Sequence, residues 1–431
     1  MQCDYACGSV EHSIARRQFL GGLAAGAAGL TLGGGASWIP VAAAEKLARS
    51  QKRILTFWLR GGLSQLESWD PKPNTIWGGP FRSIATSVPD LRISELLPHT
   101  AKQMHRLGLV RGLNTKNESH QNGTVQMQTG HSPIGAELPH LGAVAAKALT
   151  PASFSLPGHI FIKGAGGGGG SRGGAAAYLG PRFAAVALED GKAPQYSQLP
   201  STLTAELDAR RQEFRRLAND RFAGRRRTAD TDAYTYSYEQ ALDLMARRDV
   251  FDVTKESARD QDLYGPSEFG KHCLLARRLL EQGVPFVQVN HADYDTHYEN
   301  FDFHIEQLGE FDQPFATLVN DLYERGMLDD TLIIVMSEMG RTPRINSRYG
   351  RDHWGRAWSV LVGGAGIQRG AVVGKTSADG TEVVDGEVDH GNLFHTYLQA
   401  VGLDSKSEFV IGGRKFPLAD PSKGPIAELL A

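Results

Sequence analysis

Three short stretches of the chain hold most of the residue types that could bind a metal ion or move a proton. His291, Asp293, Asp295 and His297 fall within seven consecutive residues. Carboxylate and imidazole together suit zinc or manganese better than calcium, which prefers oxygen ligands alone, although neither calcium nor magnesium is excluded. The competing account of the same four residues is a hydrogen-bonded polar cluster with no ion. A second stretch carries Glu338, Arg341, Arg344, Arg348, Arg351, Asp352, His353 and Arg356, far more chemistry than a connector requires. In the third, Ser119 and His120 precede a segment of helical character, where free backbone amides and the positive end of the helix dipole favour an anion. Taken by itself, Ser119 is better explained as a plain N-cap.

Strands must deliver these residues. Thr331 to Met336 is a short apolar, β-branched run ending at Ser337-Glu338, and Trp358 to Val362 is a second such run ending in two glycines. The residues between them read as a polar loop. Ile54 to Leu59 is a strand running into Arg60-Gly61-Gly62, which brings Ser64, Glu67 and Asp70 to the same rim. Val284 to Asn290 is a strand that empties into the histidine and aspartate cluster, and Leu107 to Arg111 is another. In an open α/β sheet, ligands bind outside the carboxyl ends of the strands, where all these residues would gather. Helices are expected over Ile93–Arg106, Phe269–Gln282, Asp302–Arg325 and Gly391–Gly402. Two more, amphipathic and joined by Arg225-Arg226-Arg227, are expected between Leu203 and about Met245 as part of a helical insertion around 203–262. The glycine-rich run at 164–174 lacks the Lys-Ser/Thr ending of a phosphate loop and reads as a surface loop.

Composition narrows the class. With 431 residues, 41% hydrophobic and 22% charged, the chain is an ordinary globular protein with ample material for a core. A formal net charge of −2 gives no global argument for nucleic acid, and no nucleic-acid partner is expected. Arg16-Arg17 stands before a glycine- and alanine-rich stretch that ends at Ala42-Ala43-Ala44, which fits a twin-arginine signal peptide over 1–44 and a single domain over 45–431. The expectation is export through the twin-arginine machinery to the periplasm or beyond the cell. No later segment has about 18 uninterrupted apolar residues, so no stable membrane span is expected in the mature chain. Cys3 and Cys7 lie in the leader, which leaves Cys273 alone and allows neither an intrachain disulfide nor a cysteine metal site.

Taken together, GGLSQLESWDPKP at 61–73, the stretch at 119–130, YLGPRF at 178–183, DTH at 295–297, SEMGRTPRIN at 337–346 and RDHWGRAWSVLVGGAG at 351–366 resemble domain-of-unknown-function family 1501, within the alkaline phosphatase and sulfatase-like superfamily. The resemblance implies an alkaline phosphatase-like α/β fold with a mostly parallel central sheet flanked by helices on both faces. It also implies a metal-dependent hydrolase of phosphate or sulfate esters, with an anionic ester, such as a sulfated or phosphorylated glycan, as substrate. Carried over by position, Asp293 or Asp295 with His297, together with Glu338 and His353, resemble metal ligands. Ser119 and His120 fall near the nucleophile position, with His120 either a catalytic group or a ligand, and Arg341 or Arg356 would clamp the remaining oxygens. Two departures stand out. Leu59-Arg60-Gly61 replaces the aspartate expected at the end of the first strand, so a two-metal site would need Glu67 or Asp70. No Cys-x-Pro-x-Arg signature exists, which excludes formylglycine chemistry. The other class compatible with these motifs is a catalytically degenerate member that binds an anionic glycan or a partner protein.

Overall fold

The computed structural model describes residues 51–431 apart from 134–136, 152, 165–175, 194–196, 225–228, 292 and 412–413. The leader, most of the glycine-rich run and Arg225-Arg226-Arg227 therefore lie outside the described residues. Ten strands matter here: β1 Arg53–Leu59, β2 Leu107–Leu113, β3 His159–Lys163, β4 Val186–Glu189, β5 Phe286–His291, β6 Thr331–Met336, β7 Gly340–Ile345, β8 Arg351–Trp354, β9 Trp358–Gly364 and β10 Val372–Val373. Seven helices accompany them: α1 His120–Thr129, α2 Leu141–Leu149, α3 Ala205–Ala223, α4 Ala229–Ala246, α5 Glu268–Glu281, α6 Asn300–Glu324 and α7 His390–Ala400.

Eight of these strands form one sheet in the order β10-β2-β9-β6-β1-β5-β3-β4. Every pairing is parallel except the two made by β9, which runs antiparallel to both β2 and β6. The fold is thus mixed α/β with a large, mostly parallel central sheet, as expected. Alternation along each strand divides the core in two, because successive side chains point to opposite faces. Leu55, Phe57, Ile333, Val335, Val287 and Val289 face a cluster completed by Phe269 and Leu275 of α5 and Phe311 and Phe315 of α6. Ile54, Trp58, Leu332, Ile334, Val360 and Val362 face the other, completed by Val144 of α2 and Phe394 and Leu398 of α7. Both faces of the sheet are covered, which explains why its strands are continuous apolar runs.

Two expectations need correction. Ile93–Arg106 is not one helix: Arg92–Ser94 is a strand, Pro98–Ala101 a single helical turn and Met104–Arg106 a 3₁₀ turn. Pro98 is the cause, since its ring disfavours helical backbone in the residue before it, and Leu97 sits at φ −122° and ψ 49°. The stretch between β6 and β9 is not a loop but an antiparallel hairpin, β7 on β8, that buries Arg341 and Arg351. Both helices expected between Leu203 and Met245 are present, but no described residue of α3 is buried, and Phe214, Leu217 and Phe222 are exposed. Charged residues surround that helix on all sides, so it has no apolar stripe to bury. Among the described residues, no helix is long and apolar enough to cross a membrane.

Candidate metal centre

Adjacent parallel strands end together at one rim. Leu59 of β1 is level with His291 of β5, and Trp58 is level with Met336 of β6, so the segments that follow all three emerge side by side. Glycine permits their close approach. A Cβ on Gly61, whose φ is +115°, would lie 2.4 Å from the backbone nitrogen of Asp295. A Cβ on Gly123 of α1 would lie 2.5 Å from the carbonyl oxygen of Glu338, so only a glycine lets this helix bring His120 to the rim.

Four side chains converge there. The ring nitrogens of His120 and His353 and a carboxylate oxygen of Asp295 all lie within 4.8 Å of one another. His297 joins them, its Nε2 3.0 Å from Nε2 of His353 and 3.2 Å from Oδ1 of Asp295. The opposite nitrogen of each ring is already committed. His120 Nδ1 lies 2.7 Å from Oε1 of Glu338, His297 Nδ1 2.9 Å from Oδ1 of Asp352, and His353 Nδ1 2.7 Å from the carbonyl oxygen of Glu118. All three partners are pure acceptors, so each Nδ1 carries the hydrogen and, in the neutral ring, each Nε2 presents a lone pair.

Those lone pairs face another acceptor. His120 Nε2 stands 3.3 Å from Oδ2 of Asp295, and His353 Nε2 stands 3.3 Å from Oδ1. Such an arrangement needs a proton or a cation between its members. Hydrogen bonds to Asp295 and then Glu338 push His120 up to about 9, burial opposing them. Burial works against ionisation of Asp295, yet hydrogen bonds from His120, His353 and Arg341 outweigh it and hold the carboxyl well below the usual range. Three carboxylates, Asp295, Glu338 and Asp352, contact the histidines and Arg341 contacts Asp295, so the cluster is rich in acceptors and a cation can take the place of the proton that His120 otherwise holds. Histidine ligands oriented through their second nitrogen by carboxylates and carbonyls are the usual surroundings of a bound transition metal, and the donor set fits one.

The other expected residues fall elsewhere. Glu338 is buried and occupied, its Oε1 taking the Gly61 N–H at 3.0 Å as well as His120, so it anchors the His120 ring instead of facing the cleft. Asp293 is exposed and takes no part in these contacts. Arg341 is fully buried, with Nε 3.0 Å from the Gly62 carbonyl, Nη1 3.0 Å from the Arg351 carbonyl, and Nη2 on the Gly61 carbonyl and 2.5 Å from Oδ1 of Asp295. Four of its five N–H groups are thereby used, so it fixes Asp295 and has little left for a substrate. Arg356 is exposed over the Trp354 ring and lines a cleft of about 500 Å³ with Asn114, Lys116 and Glu118. Ser119 is exposed and stands at the N-cap position of α1 with extended backbone, where its hydroxyl makes no capping hydrogen bond.

The carboxylates expected to serve a second metal are engaged elsewhere. Glu67 is locked to Arg351, and Asp70 is held by Lys72 at 3.0 Å, by Arg111 at 3.4 Å and by Thr376. His291 turns away to the Tyr294 hydroxyl at 2.7 Å. Sequence reasoning did not single out Glu118, whose contribution is a backbone carbonyl and so carries no residue-type signal.

Residues 51–430 match the profile of a family described as "Protein of unknown function (DUF1501)". No curated protein matches the chain. Among solved structures, the chain is similar to the PsFucS1 sulfatase from Pseudoalteromonas sp., with 14% identity, a TM-score of 0.39, and coverage of 85% of this chain and 72% of that one. It is also similar to a protein in the alkaline phosphatase superfamily from Vibrio parahaemolyticus, at 11% identity and TM-score 0.38 over 85% of this chain and 76% of that one. The phosphonate monoester hydrolase SpPMH from Silicibacter pomeroyi matches at 13% identity and TM-score 0.36, over 84% and 75% respectively.

Proposed function

The chain belongs to the DUF1501 family, and we propose that it is an exported hydrolase of phosphate or sulfate esters that uses one divalent cation, zinc or manganese by the chemistry of its donors. The observation that carries this reading is the convergence of three imidazole Nε2 atoms on the Asp295 carboxylate with every Nδ1 already anchored. His120, His353 and Asp295 would hold the ion, with His297 beside them. Glu338, Asp352, the Glu118 carbonyl and Arg341 keep these side chains in place. A divalent cation so placed would supply Lewis-acid polarisation of an ester oxygen.

The remaining parts of the reaction belong to the chain itself. The α1 N-terminus, beside the cluster, offers free amides to an anionic group, and the exposed side chains of Lys116 and Arg356 add positive charge on the same side. Ser119 has a free hydroxyl next to His120 and is the candidate nucleophile. One observation favours a second reading: no base is hydrogen-bonded to the Ser119 hydroxyl among the described residues, which suits a member that binds an anionic glycan or partner without turnover.

Metal analysis of the purified protein, followed by a panel of phosphate and sulfate monoesters, decides between these. Bound divalent metal together with ester cleavage that is lost in His353→Ala supports the hydrolase. Bound metal with no cleavage of any ester leaves the binding protein, and absence of metal overturns the site. Export through the twin-arginine route is part of the proposal, and replacing Arg16 and Arg17 with lysine should retain the precursor in the cytoplasm.

A further inference from the structure

Helix α3 is turned inside out. The side chains that rest on α4 are polar ones: among the described residues of the helix, Asp208, Gln212, Arg215 and Asn219 are the half-buried positions. Asn219 Nδ2 donates to the Thr235 hydroxyl at 3.2 Å, and Arg215 Nη2 to Oε1 of Glu239 at 2.5 Å. Leu207, Phe214, Leu217 and Phe222 face solvent instead, Phe214 with 75% of its surface exposed.

Charge on the helix is sorted by sign. At 3.6 residues per turn, the four exposed apolar side chains fall within one arc of about 140°. Arg210, Arg211 and Arg221 lie in that arc and are exposed as well. Every acid of the helix, Glu206, Asp208, Glu213 and Asp220, falls outside it. Local helix stability does not require this division, because α3 is closed without it. The Thr204 side chain accepts the Leu207 N–H, Glu206 and Asp208 stand in the first turn, and Arg221 stands in the last.

Between α3 and α4 the arc opens into a groove of about 520 Å³. Leu207, Phe214 and Tyr238 supply its apolar wall, and Arg210, Arg211 and Arg215 its charge; among the described residues no carboxylate lines it. Arg215 is engaged, held by Glu239 and stacked with its guanidinium 4.9 Å from the centre of the Tyr238 ring. Arg210 has one hydrogen bond, to Glu206 at 2.8 Å, and Arg211 has an ion pair with Asp208 at 3.8 Å. Both pairs lie on exposed helix surface, where such contacts contribute little, and most of the ten N–H donors of the two guanidinium groups stay open.

This mixture selects the kind of partner. An interfacial helix gathers its apolar side chains on one side and its cations on the other, whereas here the arginines stand among the phenylalanines and leucines, which does not suit a bilayer. A second copy docking through the same face would set arginines against arginines. Aromatic side chains and arginine without lysine or acid are the composition of the centre of a protein–protein contact, and guanidinium groups beside an apolar wall select carboxylates. We propose that the α3–α4 hairpin is a docking arm for another protein. Its groove takes an acidic segment whose leucine or phenylalanine side chains seat against Leu207 and Phe214 while its carboxylates pair with Arg210 and Arg211. None of these residues belongs to the metal centre, so the assignment does not depend on the hydrolase reading.

The probe is a fluorescein-labelled synthetic peptide with leucine and phenylalanine at helical spacing among glutamates, titrated with the purified protein and read by anisotropy. Two controls accompany it, one with lysine for every glutamate and one with serine for every leucine and phenylalanine. Saturable binding of the acidic, apolar peptide alone is expected. Phe214→Ser and Arg211→Glu should each weaken it about tenfold or more, the loss typical of a central interface residue. Neither side chain is buried, so both variants should unfold at the wild-type temperature. Absence of saturable binding, equal binding of the lysine control, or affinity unchanged in both variants overturns the proposal. Self-association that Phe214→Ser abolishes, or equally tight binding to phosphatidylglycerol vesicles that depends on Phe214, overturns it too, since either result gives this face a different occupant.

Discussion

Glu67 and Asp295 are both carboxylates met by an arginine of the same hairpin, Arg351 for one and Arg341 for the other, yet their surroundings oppose each other. Neither Glu67 nor Arg351 has any exposed side-chain surface. Arg351 donates to both Glu67 oxygens, at 2.8 and 2.9 Å, and its other N–H groups reach the carbonyls of Trp77, Thr342 and Pro343, so all five are used. Nothing there asks for a further partner. Asp295, 46% exposed, has one arginine hydrogen bond and otherwise faces histidine nitrogens whose lone pairs point at it. The same residue types thus build a closed structural bond in one place and an open, acceptor-rich centre in the other. What separates the two is hydrogen-bond completeness, which only the three-dimensional arrangement reveals.

The contrast is tested hardest at the buried pair. Glu67→Leu leaves the Arg351 charge buried without its partner and should lower the stability of the protein by about 3–5 kcal/mol in denaturant unfolding. His353→Ala, at the open centre, should change the stability of the metal-free protein by less than about 1 kcal/mol, because it removes an acceptor that faces other acceptors. An equal loss in both would erase the distinction.

Buried histidines sharpen it through pH. Burial lowers both His140 and His159 to about 4, whereas hydrogen bonds to the Asp295 and Glu338 carboxylates push His120 up to about 9. A histidine depressed in the folded state contributes stability that is fully present above about pH 6.5 and lost as pH falls towards 4, because the unfolded chain takes up the proton first. For His159 and for His140 this amounts to roughly 3 kcal/mol each. Unfolding followed from pH 7 to pH 4 should show the decline, and His159→Gln should flatten it. A slope unchanged in that variant would contradict the burial assignment.

Smaller effects are expected one shell out. Glu338→Gln keeps the shape but weakens the anchor on His120 Nδ1, and should reduce metal affinity about 10- to 100-fold. Asp293→Asn should leave metal affinity within about twofold, since Asp293 lies outside the cluster. A large loss in the second variant, or none in the first, would reverse the roles assigned to the two carboxylates.

The sheet was readable from the chain because buried parallel strands are unbroken apolar runs, and those of β1, β5, β6 and β9 fall within a few residues of where periodicity places them. Asp295, His297 and His353 were readable because their residue types gather where strands end. The hairpin was not, since alternating polar residues resemble a loop until Arg341 and Arg351 are seen buried against carbonyls contributed by the β1 rim and the hairpin itself. Nor could composition show that Glu338 anchors the ring of His120 while His120 joins the cluster, a matter of which atom faces which across more than two hundred residues of chain.

The central claim is that His120, Asp295 and His353 form one site for a divalent cation. Calorimetric titration of metal-free protein with zinc and with manganese near pH 7.5 tests it directly. The account predicts one tight site per chain for at least one of these ions, abolished or weakened at least about 100-fold in His353→Ala and in His120→Ala. Absence of binding by both ions, or binding that survives in both variants, would contradict it.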